Sequence, residues 1–182
     1  VGFALAVALP NAGNIGGGGF MLVHEAASGQ RVALASRETA PASAQRSMYL
    51  DAQGQVIDGK SLYTHHAVGV PGTVAGLTHA LQQWGTLPLA HVLQPAIDLA
   101  EQGYPVSTTL AQALERAQTT MGRWPATQAI FWKNGAPLRA GERLVQKDLA
   151  HSLRLIAQNG AKAFYEGEIA QKIAAEMARH GS

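Results

Sequence analysis

Residues 11–22 read NAGNIGGGGFML, in which four consecutive glycines, Gly16 to Gly19, run straight into the apolar Phe20 to Val23. Glycine in a regular element costs roughly 0.5–1 kcal/mol relative to alanine, so an ordered run of this kind costs on the order of 2–4 kcal/mol. A dinucleotide fingerprint needs the order G-x-G-x-x-G. Counted from Gly16 and Gly18, its third glycine falls on Met21. A phosphate-binding P-loop needs Gly-Lys-Ser/Thr at its end, and here Gly19 is followed by Phe20. Two readings remain. Either the glycines pack closely or take positive φ where a buried strand begins, or they form a flat wall on which a ligand approaches the backbone.

Working outward, Phe20–His24 reads as a buried strand, and RVALAS (Arg31–Ser36) as its hairpin partner, with Ser28-Gly29 at the turn. SRETAP follows at once. Arg37 and Glu38 leave the strand where a sheet opens to solvent, and Pro41 stops it. The pair is either an ordinary surface ion pair or an arginine aimed into a pocket. In the second case its planar fork holds a substrate carboxylate through two parallel hydrogen bonds.

Residues 42–59 are mixed and polar, with a turn at Asp51–Gly54. A helix is expected from Thr73, with Val74, Leu77, Leu81 and Trp84 on one face and Gly85 closing it. LPLAHVLQPAIDLAEQG has helical spacing, and Pro95 predicts a kink or two abutting helices. Ser107–Met121 is expected as an exposed helix, and AIFWKNG as a short strand or extended segment turning at Asn134-Gly135. Asp148–Gln158 should bury Leu149, Leu153 and Ile156 and stop at Asn159-Gly160. Ile169, Ile173 and Met177 mark a last helix ending at Gly181. On the other side of the glycines, VGFALAVAL reads as the end of a buried helix stopped by Pro10, too short to span a bilayer and without the basic leader of a secretory signal. Its uncapped start suggests a piece of a longer chain. The class expected is α/β (α+β), with few strands, all in the first third, and mostly helix afterwards.

Composition fits a packed core, with 47% apolar and 14% charged residues in a chain of 182. The net charge is +2, and the basic residues are scattered without interleaved aromatics, so nucleic acid is not expected as a partner. No amphipathic segment carries a basic face, which leaves membrane binding without support. There is no cysteine, so disulfides, thiolate nucleophiles and Cys-based zinc sites are excluded. His24-Glu25 has no second histidine at the zinc-protease spacing, and the adjacent His65 and His66 would point to opposite sides of a strand, so no metal site is expected. No Gly-x-Ser-x-Gly elbow occurs. Residue chemistry alone therefore yields no complete catalytic set.

Several blocks in a fixed order do carry a resemblance: AGNIGGGGFML, RETAP, GVPGTVAG, QPAIDLAEQGYPV and LVQKDLAHSLRLIAQNGAKAFYEGEIAQKIA. Together, from Val1 to about Met177, they resemble the large subunit of the γ-glutamyltranspeptidase (γ-glutamyltransferase) family. The resemblance implies a single partial domain over residues 1–182, part of an N-terminal-nucleophile hydrolase sandwich of two sheets between helical layers. It implies an autoprocessed precursor whose small subunit begins with a Thr nucleophile activated by its own amine. That subunit would be the partner of this chain, which alone should be inactive. The activity implied is transfer or hydrolysis of γ-glutamyl groups of glutathione and related amides through an acyl-enzyme, with no cofactor. A periplasmic or extracellular location is also implied. Thr64 lies in the middle of the large-subunit pattern and is not assigned as nucleophile. By the same resemblance Arg37, in the Arg-Glu-x-Ala-Pro block, binds the α-carboxylate of the donor, and Glu38 orients it. The family commonly has Asp-Phe before this arginine, whereas Ala35-Ser36 stand here. That departure leaves open a cephalosporin-acylase-like relative. A non-catalytic binding or assembly domain reusing the fold is the other alternative.

Overall fold

The computed structural model describes residues 1–182. In chain order the elements are α1 (Gly2–Ala8), β1 (Gly19–His24), β2 (Arg31–Ser36), α2 (Lys60–Tyr63), a 3-10 turn (His65–Ala67), α3 (Thr73–Trp84) and α4 (Leu89–Gln102). Then follow β3 (Tyr104–Pro105), α5 (Thr108–Arg116), α6 (Gln118–Met121), α7 (Pro125–Phe131), β4 (Trp132–Lys133), β5 (Ala136–Pro137) and β6 (Arg143–Leu144). Three helices close the chain: α8 (Lys147–Asn159), α9 (Lys162–Tyr165) and α10 (Glu168–Arg179). The chain divides into two compact units, one of residues 1–14 and 87–158, the other of residues 15–86 and 159–182.

The first unit is a helical core. Helix α1 packs on α4, burying Phe3, Ala6 and Val7 on one and Leu93, Ala96, Ile97 and Ala100 on the other. The Val7 carbonyl at the end of α1 accepts from Tyr104 Oη at 2.7 Å and Gln146 Nε2 at 3.0 Å, which satisfies an end that no capping motif covers. Burial raises the Tyr104 hydroxyl above its ordinary pKa. Helix α4 runs unbroken through Pro95, so of the two outcomes expected there, a kink or two abutting helices, the second does not occur. The missing N–H frees the carbonyl of His91; both residues are exposed, so that carbonyl opens to water while the buried face on either side holds the helix together.

Ser107 caps α5 by accepting from Leu110 N at 3.1 Å. The exposed helix expected over Ser107–Met121 ends at Arg116 and resumes as α6. It is not exposed all round, because Leu110 and Leu114 dock with Val106, Leu138 and Leu144. Ala129–Phe131 belong to α7 rather than to a strand. Trp132–Lys133 do pair with Ala136–Pro137 across a two-residue turn in which Asn134 has φ 52° and Gly135 φ 77°. A second ladder joins Tyr104 to Leu144 and Pro105 to Arg143. Short strands therefore occur well beyond the first third. Two-residue ladders carry too few residues for a period-2 signal. Helix α8 matches its expected span, with Gly160 beyond its end at φ 65°; Leu153 and Ile156 are buried as expected, but Leu149 is only half-buried and Ala150 takes the third buried place.

The second unit is built on the β1–β2 hairpin, antiparallel in a register that pairs Gly19 with Ser36 and His24 with Arg31. Gly29 turns it at φ 72°. The strand expected as buried has one exposed face: Phe20 is 72% and Leu22 86% accessible. Only two strands are paired here, and α3 packs against β2, so alternate side chains of β1 remain uncovered. Asp51 Oδ1 accepts from the amides of Gln53 and Gln55 at 2.9 and 2.8 Å and makes the expected turn.

Helix α3 has no side-chain cap of its own. The Gly17 carbonyl instead accepts from Gly72 N at 2.7 Å and Thr73 N at 3.0 Å. Tyr165 Oη from α9 accepts from Ala75 N at 3.1 Å and donates to the Pro71 carbonyl at 2.9 Å. The glycine run thereby ties the start of the hairpin to the start of α3.

Candidate functional site

None of Gly16 to Gly19 has positive φ, so special backbone geometry does not explain the run, and close packing demands a glycine at one of its positions. The requirement sits at Gly18. A Cβ there would lie 2.5 Å from the Ser36 carbonyl, 2.8 Å from Glu38 Oε2 and 2.9 Å from Arg37 Cα. Gly16 and Gly19 face open space. Three further glycines close on the same segment. A Cβ at Gly72 would collide with the Ser36 carbonyl, one at Gly76 with the Ser36 side chain, and one at Gly69 would come within 3.0 Å of Glu38 Cβ. Gly72 and Gly76 stand four apart and so share one face of α3. The backbone from Ser36 to Thr39 therefore runs through a collar of glycines. Ser36 Oγ donates to the Gly19 carbonyl at 3.2 Å, and Thr39 and Val70 exchange backbone hydrogen bonds of 3.1 and 2.8 Å.

This collar fixes where Arg37 and Glu38 emerge. The two side chains lie together: Arg37 Nε donates to Glu38 Oε2 at 3.3 Å, with the arginine side chain 66% and the glutamate 37% accessible. The guanidinium stands 5.6 Å from the centre of the Phe20 ring, within cation–π range. The Glu38 carboxyl is held below the ordinary carboxylate range, first by its own backbone amide, then by the Arg37 guanidinium, with a further contribution from the Gly18 amide. Nε is engaged by Glu38 and the side chain stays largely accessible; the two terminal nitrogens of a guanidinium are the donor pair that a carboxylate can take in bidentate fashion.

The same unit contains a cavity of about 620 Å³ lined by Val68, Val70, Pro71, Phe164, Ile173 and Met177 among others, with no charged side chain in its wall. Arg37 and Glu38 do not line it. A second polar cluster, composed of His65, Glu176 and His180, lies at the end of α10. Sequence spacing alone pairs only Glu176 with His180, four apart at the end of α10. Of His65 and His66, only His65 joins them; His66 uses its backbone carbonyl to accept from Tyr49 Oη at 2.9 Å. Thr64 Oγ1 donates to the Lys60 carbonyl at 2.6 Å.

The γ-glutamyltranspeptidase family model matches residues 1–182, the whole chain. The chain belongs to the γ-glutamyltranspeptidase family. It is 50% identical over 182 residues to the glutathione hydrolase proenzyme of Escherichia coli (strain K12), covering 100% of this chain and 31% of that protein. The crystal structure of Helicobacter pylori γ-glutamyltranspeptidase superposes with a TM-score of 0.95 at 44% identity, over 100% of this chain and 52% of the other. The cephalosporin acylase from Bacillus halodurans superposes with a TM-score of 0.82 at 31% identity, over 100% of this chain and 34% of that one. The fold is thus part of the mixed α/β architecture of N-terminal-nucleophile hydrolases, predominantly helical over these residues. The chain spans about a third of the length of the curated γ-glutamyltranspeptidase-family relatives it matches. No helix is long and apolar enough to cross a membrane.

Proposed function

We propose that this chain forms the donor-binding part of the large subunit of an enzyme that transfers or hydrolyses γ-glutamyl groups of glutathione and related amides. The observation that carries the reading is Arg37. It leaves a segment ringed by glycines, is braced by Glu38 and Phe20, and keeps a largely accessible side chain. In this reading the two nitrogens grip the α-carboxylate of the γ-glutamyl donor. Glu38 accepts from Nε and fixes the plane of the fork. The donor's amide carbonyl is then presented to the N-terminal Thr of the small subunit, whose hydroxyl attacks while its amine takes the proton. The amine-bearing part of the donor leaves, and water or an amino acid takes the acyl group. No residue of these 182 is assigned the nucleophile's role, so the chain by itself is inactive. The location suggested by the family is periplasmic or extracellular.

A cephalosporin-acylase-like preference is the second reading. It rests on Ala35-Ser36 before Arg37 and on the similarity to the Bacillus halodurans acylase. The higher identity to the glutathione hydrolase proenzyme favours the γ-glutamyl reading. The test is substitution of Arg37 in the complete enzyme with a γ-glutamyl anilide donor. Loss of one partner of a desolvated charge pair costs about 2–5 kcal/mol, or roughly 30-fold to a few-thousand-fold in kcat/KM for Arg37→Ala. Arg37→Lys should recover only part of that, since charge is kept and the fork is lost. Unchanged kcat/KM in both variants would remove Arg37 from the donor site.

A further inference from the structure

The geometry points to a divalent transition-metal site formed by His65, Glu176 and His180, of the borderline kind that takes Zn²⁺. One imidazole comes from the 3-10 turn after α2. The carboxylate and the other imidazole come from the end of α10, more than a hundred residues later in sequence. One candidate donor atom from each side chain falls in a group whose members all lie within 4.8 Å of one another. Glu176 Oε1 stands 3.7 Å from His65 Nε2 and 3.2 Å from His180 Nε2. Tetrahedral zinc with bonds near 2.0–2.1 Å places its ligands about 3.3–3.4 Å apart. Two of the three edges are therefore close to the spacing that an ion imposes. The two imidazoles are stacked, with ring centres 3.8 Å apart and planes within 2°. Bringing their nitrogens onto one ion requires rotation about the terminal ring torsions, which are broad and soft.

The surroundings support the ligands. Arg179 Nη1 holds the other carboxylate oxygen, Oε2, at 2.9 Å, which leaves Oε1 for the ion. The turn carrying His65 is anchored by Tyr49 on the His66 carbonyl. The chain after α10 is held by hydrogen bonds from the His180 and Ser182 amides to the Met177 carbonyl, both 3.0 Å. Two imidazoles and one carboxylate form a nitrogen–oxygen set suited to Zn²⁺, Ni²⁺ and Cu²⁺ rather than to Mg²⁺ or Ca²⁺. Three protein ligands leave a fourth position for water. Bound there, an ion would staple the 3-10 turn to the end of α10.

The test is calorimetric titration of ZnCl₂ into the metal-stripped 182-residue chain, beside His65→Ala, His180→Ala and His66→Ala, with folding of each checked by circular dichroism. The expected result is saturable one-to-one binding that leaves His66→Ala unaffected. Binding should weaken in both other variants by at least the 10–100-fold that loss of a group merely hydrogen-bonded to a ligand costs. Cobalt(II) supplies a second readout: its visible bands should show tetrahedral coordination in the parent chain and lose it in His180→Ala, an exposed position beyond the last helix. Zinc should also raise the melting temperature of the parent chain and not of His180→Ala. Absence of one-to-one binding overturns the site. So does unchanged affinity in His65→Ala, which would leave only a helix-surface pair, or an equal loss in His66→Ala.

Discussion

The two units of this chain are held together in different ways. All but four of the fully buried apolar side chains belong to the unit made of residues 1–14 and 87–158, where Val7, Leu93, Leu144, Leu153 and Ile156 are out of contact with water. The unit made of residues 15–86 and 159–182 buries only Val74, Ala163, Phe164 and Ile169 among its apolar side chains, and it leaves Phe20 and Leu22 in solvent. What it has instead is close backbone approach: four glycines around residues 36–39, and carbonyl and phenol oxygens that take the first amides of α3. The unit poor in buried side chains is the one that carries Arg37. A site that must present a guanidinium at a fixed place gains more from backbone held by backbone than from a thick core, because no rotamer intervenes between the support and the strand.

That contrast can be broken by substitution. The largest stability effect should come from Leu153→Ala in the helical unit. Its side chain is fully buried, so truncation should cost about 2–5 kcal/mol in urea unfolding. In the hairpin unit the damaging change is an addition. Gly72→Ala drives a methyl into the Ser36 backbone carbonyl and should cost about 1–3 kcal/mol. Gly76→Ala meets the Ser36 side chain instead, and helix propensity returns up to about 1 kcal/mol of its cost. Ser36→Gly should therefore rescue Gly76→Ala and leave Gly72→Ala uncorrected, which a double-mutant cycle would read directly. The smallest effect belongs to Leu22→Ser: at 86% accessible it should shift stability by no more than about 0.5 kcal/mol in this chain. If Gly72→Ala proves neutral while Leu22→Ser is costly, the hairpin unit is held by its apolar face and the contrast fails.

Much of this architecture is legible in the sequence. The hairpin, α3, α8 and α10 announce themselves through alternation, helical spacing and glycine stops, all of which are local. Helix α5 is half legible: Leu110 and Leu114 stand four apart, the spacing of a buried stripe, yet the surrounding polar residues suggest exposure. What docks that stripe is Leu144, on a ladder too short to have a period, and Leu138, just past the end of another. Pro95 does not split α4, because propensity is local while the face that holds the helix is tertiary. The glycines are legible as a cost but not as a collar. Nothing in NAGNIGGGGFML or GVPGTVAG says that Gly18, Gly72 and Gly76 meet at Ser36, since those contacts join residues from about 18 to about 40 positions apart. Arg37 is legible as a charged residue at a strand end, and the carboxylate-binding role proposed for it comes from the family blocks alone. Its bracing by Phe20 requires the hairpin register, which brings Phe20 opposite Ala35.

Arg37 is proposed to serve the donor's α-carboxylate rather than the fold. Its most direct test uses the complete enzyme, as parent and Arg37→Ala, with two donors that differ only in that group: a γ-glutamyl anilide and the matching glutaryl anilide, which has no α-carboxylate. Arg37→Ala should lower kcat/KM for the γ-glutamyl donor by roughly 30-fold to a few-thousand-fold and change the glutaryl value far less. An equal loss with both donors would contradict the claim and make Arg37 a structural residue. No loss with either would place the carboxylate elsewhere and favour the acylase-like reading.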